Sequence, residues 1–301
     1  MLISLKNISF DVLQSSLLNE KGVEVIVARL DKIHEDVSGN KLFKLHYFIE
    51  ECMSADHKTL LTFGGAYSNH LVAAAYVCRN AGLRCIGVVR GERPPVRSHT
   101  LSRCEDLGME LHFISREEYK HAEDPAFIAA LHEQFGDFTL VPEGGYSHLG
   151  AKGASLIHDV IDNINATHIA TAVGTATTLA GLLLKKKEDQ EIITVPVIKN
   201  MADIPERIDF LTEEKEAGGL EILSDYHFGG YAKYNEDLIG FMNAFYDEYK
   251  VPSDFVYTGK MLYAIFDMIK KDHFPKGSRI VCLHTGGLQG NKSLPPGKLI
   301  F

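Results

Sequence analysis

No stretch of this chain carries the roughly 18 to 20 consecutive apolar residues that a membrane-spanning helix needs, so no membrane partner is expected. Basic residues are in deficit. Thirty-one Lys and Arg against 40 Asp and Glu leave a net charge of −9 over 301 residues, and no strongly basic patch stands out. That argues against general nucleic-acid binding. The run Lys185-Lys186-Lys187 is followed by Glu188 and Asp189 and reads as a solvated helix end. Cysteines are few, odd in number and scattered (Cys52, Cys78, Cys85, Cys104, Cys282), with no Cys-x-x-Cys spacing. Neither a zinc site nor a disulfide framework follows from them. The 14 histidines include no His-x-x-x-His pair, and no metal is expected. The opening Met1-Leu2-Ile3-Ser4-Leu5-Lys6 has no secretory character, so a reducing cytoplasm is the expected setting. Internal repeats and low-complexity linkers are also lacking.

What the chain does have is an alternation of strand and helix signals, the pattern of a parallel sheet covered by helices. Strands are expected at Val23–Leu30, Thr59–Phe63, Leu83–Val89, Glu110–Ile114, Phe138–Val141, His168–Val173, Glu191–Ile198 and Ser278–Leu283. Helices are expected over Lys41–Met53, Tyr67–Ala81, Ser98–Leu107, Asp124–Phe135, Ser147–Asn163, Ala176–Lys186, Asn235–Glu248 and Gly259–Lys270. Pro196 places its strand near an edge or a bend. Ligands of open parallel sheets sit at the carboxyl ends of strands, where the turns at Gly64, Gly174 and Gly286 fall.

Three short stretches carry chemistry. Gly39-Asn40-Lys41 ends in a lysine at a helix start, with Lys44 one turn on as its competitor. Gly64-Gly65-Ala66-Tyr67-Ser68-Asn69 is a glycine turn in which Ser68 and Asn69 could cap a helix or hold a ligand. Gly174-Thr175-Ala176-Thr177-Thr178 offers amides and hydroxyls to an anion at another helix start. Each alone is also an ordinary helix start. Together, an imine-forming lysine, a polar turn and a phosphate cradle point to pyridoxal 5'-phosphate.

With those residues stand Pro142, Gly144 and Gly145, Tyr231, Val256-Tyr257-Thr258-Gly259-Lys260 and His284-Thr285-Gly286-Gly287. In this order, from about Val23 onward, the set resembles the 1-aminocyclopropane-1-carboxylate deaminase and D-cysteine desulfhydrase group of pyridoxal-phosphate enzymes. The resemblance implies an α/β, fold-type-II architecture with two open, twisted, mostly parallel sheets covered by helices. It implies a large discontinuous cofactor domain, residues 1–44 and 145–301, a smaller inserted α/β domain over 45–144, and a homodimer. It also implies roles. Lys41 would hold the cofactor as an imine, Asn69 the ring hydroxyl, Gly174, Thr175, Ala176, Thr177 and Thr178 the phosphate, and Thr258 the pyridine nitrogen. Ser68, Asn69, His70 and Thr285 would face a small amino-acid substrate. Lys41, Ser68, Tyr231 and Tyr257 would be the catalytic set.

The chain departs from the deaminases at three of these positions. It has Thr258 where they place glutamate, Thr285 where they place leucine, and His70 where they place glutamine. In these it looks like the desulfhydrases. A threonine in place of a carboxylate is expected to leave the ring nitrogen closer to neutral, a weaker electron sink. The expected reaction is therefore β-elimination of D-cysteine to pyruvate, hydrosulfide and ammonia. Deamination of 1-aminocyclopropane-1-carboxylate to 2-oxobutyrate is the alternative, with racemase or β-replacement chemistry possible on the same scaffold. A cofactor-binding homologue without catalysis is the reading from a different class.

Overall fold

The computed structural model describes residues 5–213 and 218–301. The chain runs through β1 (Ser9–Leu13), α1 (Ser16–Lys21), β2 (Glu24–Arg29), α2 (Lys41–Ser54), β3 (Thr59–Gly64) and α3 (Asn69–Ala81). It continues with β4 (Arg84–Arg90), α4 (His99–Asp106), β5 (Glu110–Ile114), α5 (Pro125–Phe135) and β6 (Thr139–Val141). Then follow α6 (His148–Ile161), β7 (His168–Val173), α7 (Thr177–Lys185), β8 (Glu191–Pro196), α8 (Ile204–Thr212) and β9 (Leu220–Ile222). The last elements are α9 (Glu236–Tyr249), α10 (Thr258–Lys270) and β10 (Arg279–Leu283).

Among the described residues these strands make two sheets. One is six-stranded, in the order β1-β2-β10-β7-β8-β9, and the other is four-stranded, in the order β5-β4-β3-β6. Every pairing is parallel except β1 with β2. Parallel strands with helices on both faces bury all their side chains, and β3 and β7 are buried at every residue. This is the expected α/β architecture.

Four elements were not anticipated, the short α1 among them. Strand β1 pairs antiparallel on the sheet edge, with Phe10 and Val12 left exposed, so it lacks the apolar run of a covered strand. The short α8 and β9 occupy the stretch between the expected strand at Glu191 and helix at Asn235. Pro196 lies at the end of β8, beyond the register of β9, which pairs only with Ile192 to Thr194. Its missing donor therefore costs no ladder bond on that side.

Close backbone approach holds α2 where the site needs it. A Cβ at Gly39, whose φ is +82°, would fall 1.8 Å from the carbonyl oxygen of Thr285. Only glycine allows this contact. It brings the loop after β10 against the start of α2, and Asn40 N–H donates to that same carbonyl at 3.3 Å.

Candidate active site

A cleft opens where the carboxyl ends of β7 and β10 meet the first turns of α2, α3 and α7. Lys41 is the first residue of α2 and reaches into it. Its Nζ donates to Asn40 Oδ1 at 2.6 Å, and Asn40 Nδ2 donates to Thr178 Oγ1 at 2.7 Å. Burial pulls the Lys41 ammonium down to about 8, against a smaller opposing pull from the Asp254 carboxylate. Lys44, one turn on, also faces the cleft. It is almost fully buried and donates to Gly144 O at 3.2 Å. Burial and the neighbouring charge of Lys41 push its proton affinity far below that of an ordinary lysine.

Opposite the lysine lies the turn from β7 into α7. Gly174, Thr175, Ala176 and Thr178 line the cleft. Ala176 precedes the helix at φ +66°, a left-handed conformation that costs a non-glycine residue about 1 kcal/mol or more. No side-chain hydrogen bond caps α7, whose start at Ala176 and Thr178 lines the cleft, an arrangement that suits an anion. Thr177 behaves differently. It is wholly buried and shares a hydrogen bond of 2.9 Å with Thr175 Oγ1 behind the turn.

On a third side, Asn69 opens α3 and lines the cleft, and its Oδ1 is buried with no hydrogen-bond partner. Ser68 caps α3, its Oγ accepting from Leu71 N–H, and is not part of the cleft lining. His70 turns the other way. One residue further along the helix, its ring is buried against β3, with Nε2 2.9 Å from Thr62 Oγ1. Burial, and then the charges of Lys41 and Lys44, lower it to about 3, so it stays neutral at physiological pH; it is outside the cleft lining, and its Nδ1 is buried without a partner.

Tyr257 and Thr285 close the fourth side with Gly286 and Gly287. Burial, and then the neighbouring Tyr231, raise the Tyr257 phenol well above its ordinary value. A Cβ on Gly174 would come within 3.3 Å of the Tyr257 ring, so the phosphate-type turn and the tyrosine pack in contact. Tyr231 is half exposed and lies outside the lining. Its ring meets that of Tyr257 edge-on at 6.1 Å. Thr258 follows Tyr257, is completely buried, and gives its hydroxyl to Asp254 Oδ1 at 2.7 Å. Of the thirteen expected site residues, eight line one cleft, and Ser68, His70, Thr177, Tyr231 and Thr258 stand beside or behind it.

Sequence reasoning did not single out Asn40 as a functional residue, nor Asp254 at all. Adjacency to the lysine was the signal for Asn40. For Asp254 only its spacing of four from Thr258 was available.

These residues fit pyridoxal 5'-phosphate. The amine is the one an aldehyde requires, the uncapped helix start suits a dianionic phosphate, and the orphaned Asn69 oxygen awaits a donor such as a ring hydroxyl. Two mostly parallel sheets covered by helices are the architecture of fold-type-II pyridoxal-phosphate enzymes. The chain belongs to the family described as pyridoxal-phosphate dependent enzyme, which matches residues 11–286. Pyridoxal 5'-phosphate is its cofactor.

Among curated relatives, a protein of Pyrococcus abyssi named "Putative 1-aminocyclopropane-1-carboxylate deaminase" is 28% identical over 291 residues. The alignment covers 90% of this chain and 86% of that protein. The D-cysteine desulfhydrase of Klebsiella pneumoniae is 27% identical over 292 residues, covering 90% and 89%. The crystal structure of an ACC deaminase homologue superposes with a TM-score of 0.80 at 26% identity, covering 97% of this chain and 92% of that one. Among the described residues no helix is long and apolar enough to cross a membrane.

Proposed function

We propose that this enzyme catalyses β-elimination from a small amino acid, with D-cysteine and water giving pyruvate, hydrosulfide and ammonia. The coarse chemistry, pyridoxal-phosphate-dependent deamination or elimination, is that of its family. The observation that carries the finer reading is the Lys41 amine. It faces the cleft with its proton affinity drawn down to about 8, so a useful fraction is neutral near physiological pH.

Bound pyridoxal phosphate supplies the electron sink that stabilises the charge left at the substrate α-carbon. The chain's own residues do the rest. In this reading Lys41 Nζ takes the α-proton. Tyr257 keeps its phenolic proton and serves as a donor to a leaving group rather than as a base. The N-terminal turn of α3, with Ser68 at its cap and Asn69 facing the cleft, orients the substrate carboxylate. The hydroxyl of Thr285, where the resemblance places leucine in the deaminases, gives the wall a polar group beside the leaving thiol.

Ring opening of 1-aminocyclopropane-1-carboxylate is the second reading, favoured by the relatives that bear that name. That substrate has no α-hydrogen, so it makes no use of Lys41 as an α-proton acceptor. The deciding assay gives the loaded enzyme D-cysteine, L-cysteine and 1-aminocyclopropane-1-carboxylate, and measures pyruvate, sulfide and 2-oxobutyrate. Pyruvate and sulfide from D-cysteine support the proposal. Efficient release of 2-oxobutyrate with D-cysteine untouched replaces it by the second reading. A loaded protein that releases no oxo acid from any amino acid belongs to the non-catalytic class.

A further inference from the structure

Asp254 is the buried charge of this site. It has no exposed surface, and its carboxylate accepts four hydrogen bonds. Val256 N–H and Tyr257 N–H donate to Oδ2 at 2.9 and 2.8 Å, and Thr258 N–H and the Thr258 hydroxyl donate to Oδ1 at 2.9 and 2.7 Å. Four donors and no acceptor around it are the partners a carboxylate, rather than a carboxylic acid, takes. Among the described residues no cation forms an ion pair with it. The carboxylate lies directly behind the cleft wall, because a Cβ on Gly287 would come within 2.9 Å of Asp254 Cγ. A cation inside the cleft would therefore face this carboxylate through one glycine, as Lys41 already does.

Hydrogen-bond bookkeeping at Thr258 sharpens this. A hydroxyl has one proton and two lone pairs. The proton goes to Asp254 Oδ1, and one lone pair receives Asp254 N–H at 2.8 Å. What remains is a single lone pair. Thr258 lies behind the cleft lining with no exposed surface; toward a ligand that reaches it, the hydroxyl can accept and has no proton to donate. Where the threonine alone leads one to expect a ring nitrogen close to neutral, the Asp254–Thr258 pair presents an acceptor backed by a charge.

We propose that Asp254, acting through the Thr258 hydroxyl, keeps the ring nitrogen of bound pyridoxal phosphate protonated. Asp254 is thus a positioning residue with an electrostatic role, and the ring is a stronger electron sink than a lone threonine would make it. The inference rests on the cofactor site and on the placement of Thr258 at the ring nitrogen. The other ionisable groups around this point include Lys41, Lys44 and Tyr257 on the cleft and Lys260 behind it. Glu143 acts on Tyr257, and Asp31 sits 3.3 Å from His284 Nδ1 beside Thr285, while Asp254 is the carboxylate in hydrogen-bond contact with Thr258.

The test loads the enzyme with pyridoxal phosphate labelled with nitrogen-15 in the ring and reads the ring-nitrogen chemical shift. Wild type should show the protonated position. Thr258→Val, which keeps shape and loses the relay, and Asp254→Asn should both move the signal fully to the free-base position, and Thr258→Ser should restore wild type. Should Asp254→Asn not fold, the Val and Ser variants decide alone, since Asp254 keeps its three N–H donors in both. A free-base signal in loaded wild type, or a protonated one in Thr258→Val, overturns the inference while the cofactor assignment stands. A wild type that takes up no cofactor, seen as no visible absorption, overturns the assignment and the inference with it.

Discussion

Asn40 Nδ2 donates to Thr178 Oγ1 at 2.7 Å across 138 residues of sequence, joining the lysine turn to the phosphate-type turn. The same side chain accepts from Lys41 Nζ, so one amide orients both the amine and the helix that faces it. Replacing Asn40 with Ala removes two hydrogen bonds of about 0.5–1.5 kcal/mol each. The expected result is a roughly tenfold or larger loss of cofactor affinity, measured by equilibrium dialysis with visible absorption. Unaltered affinity would make the bridge a fold contact and nothing more.

Lys41 supplies a pH prediction. Uptake of an aldehyde requires a neutral amine, and this one is held at about 8 by burial. The rate of cofactor uptake by the unloaded protein should rise with a midpoint near pH 8 and then level, well below the ordinary lysine value of about 10.4. Stability of the unloaded protein should move the same way. The unfolded lysine binds its proton up to about pH 10.4 and the folded one only to about 8, so folding gains from this group as pH rises between them. Lys260, also drawn down to about 8, adds in the same direction. Chemical denaturation at several pH values checks the trend, and Lys41→Met should flatten part of it. Borohydride reduction of the loaded enzyme should leave the pyridoxyl adduct on Lys41. An adduct on Lys44, which faces the same cleft, would reassign the site.

How far the sequence carried this reading depends on how local each signal was. The alternation of buried strands and amphipathic helices is written into successive residues, and α2 and β7 begin at the expected positions. Glycine turns at strand ends marked the cleft because a parallel sheet must place its ligands there. Side-chain direction was not legible in the same way. His70 sits next to Asn69, yet one helical step of about 100° turns it from the cleft into the core against Thr62. Asp254 carries no motif of its own, and its meaning comes only from the loop that folds it back onto Thr258.

The loop from Gly174 to Thr178 offers a sharper test of phosphate binding. Thr175→Glu would put a carboxylate on a wall that now presents a hydroxyl and uncapped N–H groups. Repulsion against a dianion should abolish cofactor retention through gel filtration, with the far-ultraviolet spectrum unchanged. Full retention would reduce the turn to a plain helix start.

Lys260 has no exposed surface and donates to His227 O and Gly230 O, both at 2.8 Å, holding the turn that leads to Tyr231. Lys260→Met keeps the length of the side chain and leaves both carbonyls without this partner. A loss of about 2–4 kcal/mol in urea unfolding is expected. The loaded variant should also lose turnover more than cofactor affinity, because Tyr231 packs on Tyr257 and not on the phosphate turn. Stability within about 0.5 kcal/mol of wild type would show that the turn holds without the lysine.

Thr258→Glu, the residue the deaminases are expected to carry, separates a simple exchange of sink from a coupled pair. In this chain the new carboxylate would enter a fully buried position already in contact with Asp254. Two carboxylates at that distance cannot both stay ionised, and one must take up a proton or the helix start must shift. The single variant should therefore lose about 2 kcal/mol or more of stability in the unloaded state. Adding Asp254→Asn leaves one buried carboxylate and should recover much of that loss, a coupling readable in a double-mutant cycle of urea midpoints. Additive losses in the double variant would show that the two side chains do not share one charge, and that Thr258 can be exchanged independently of the acid behind it.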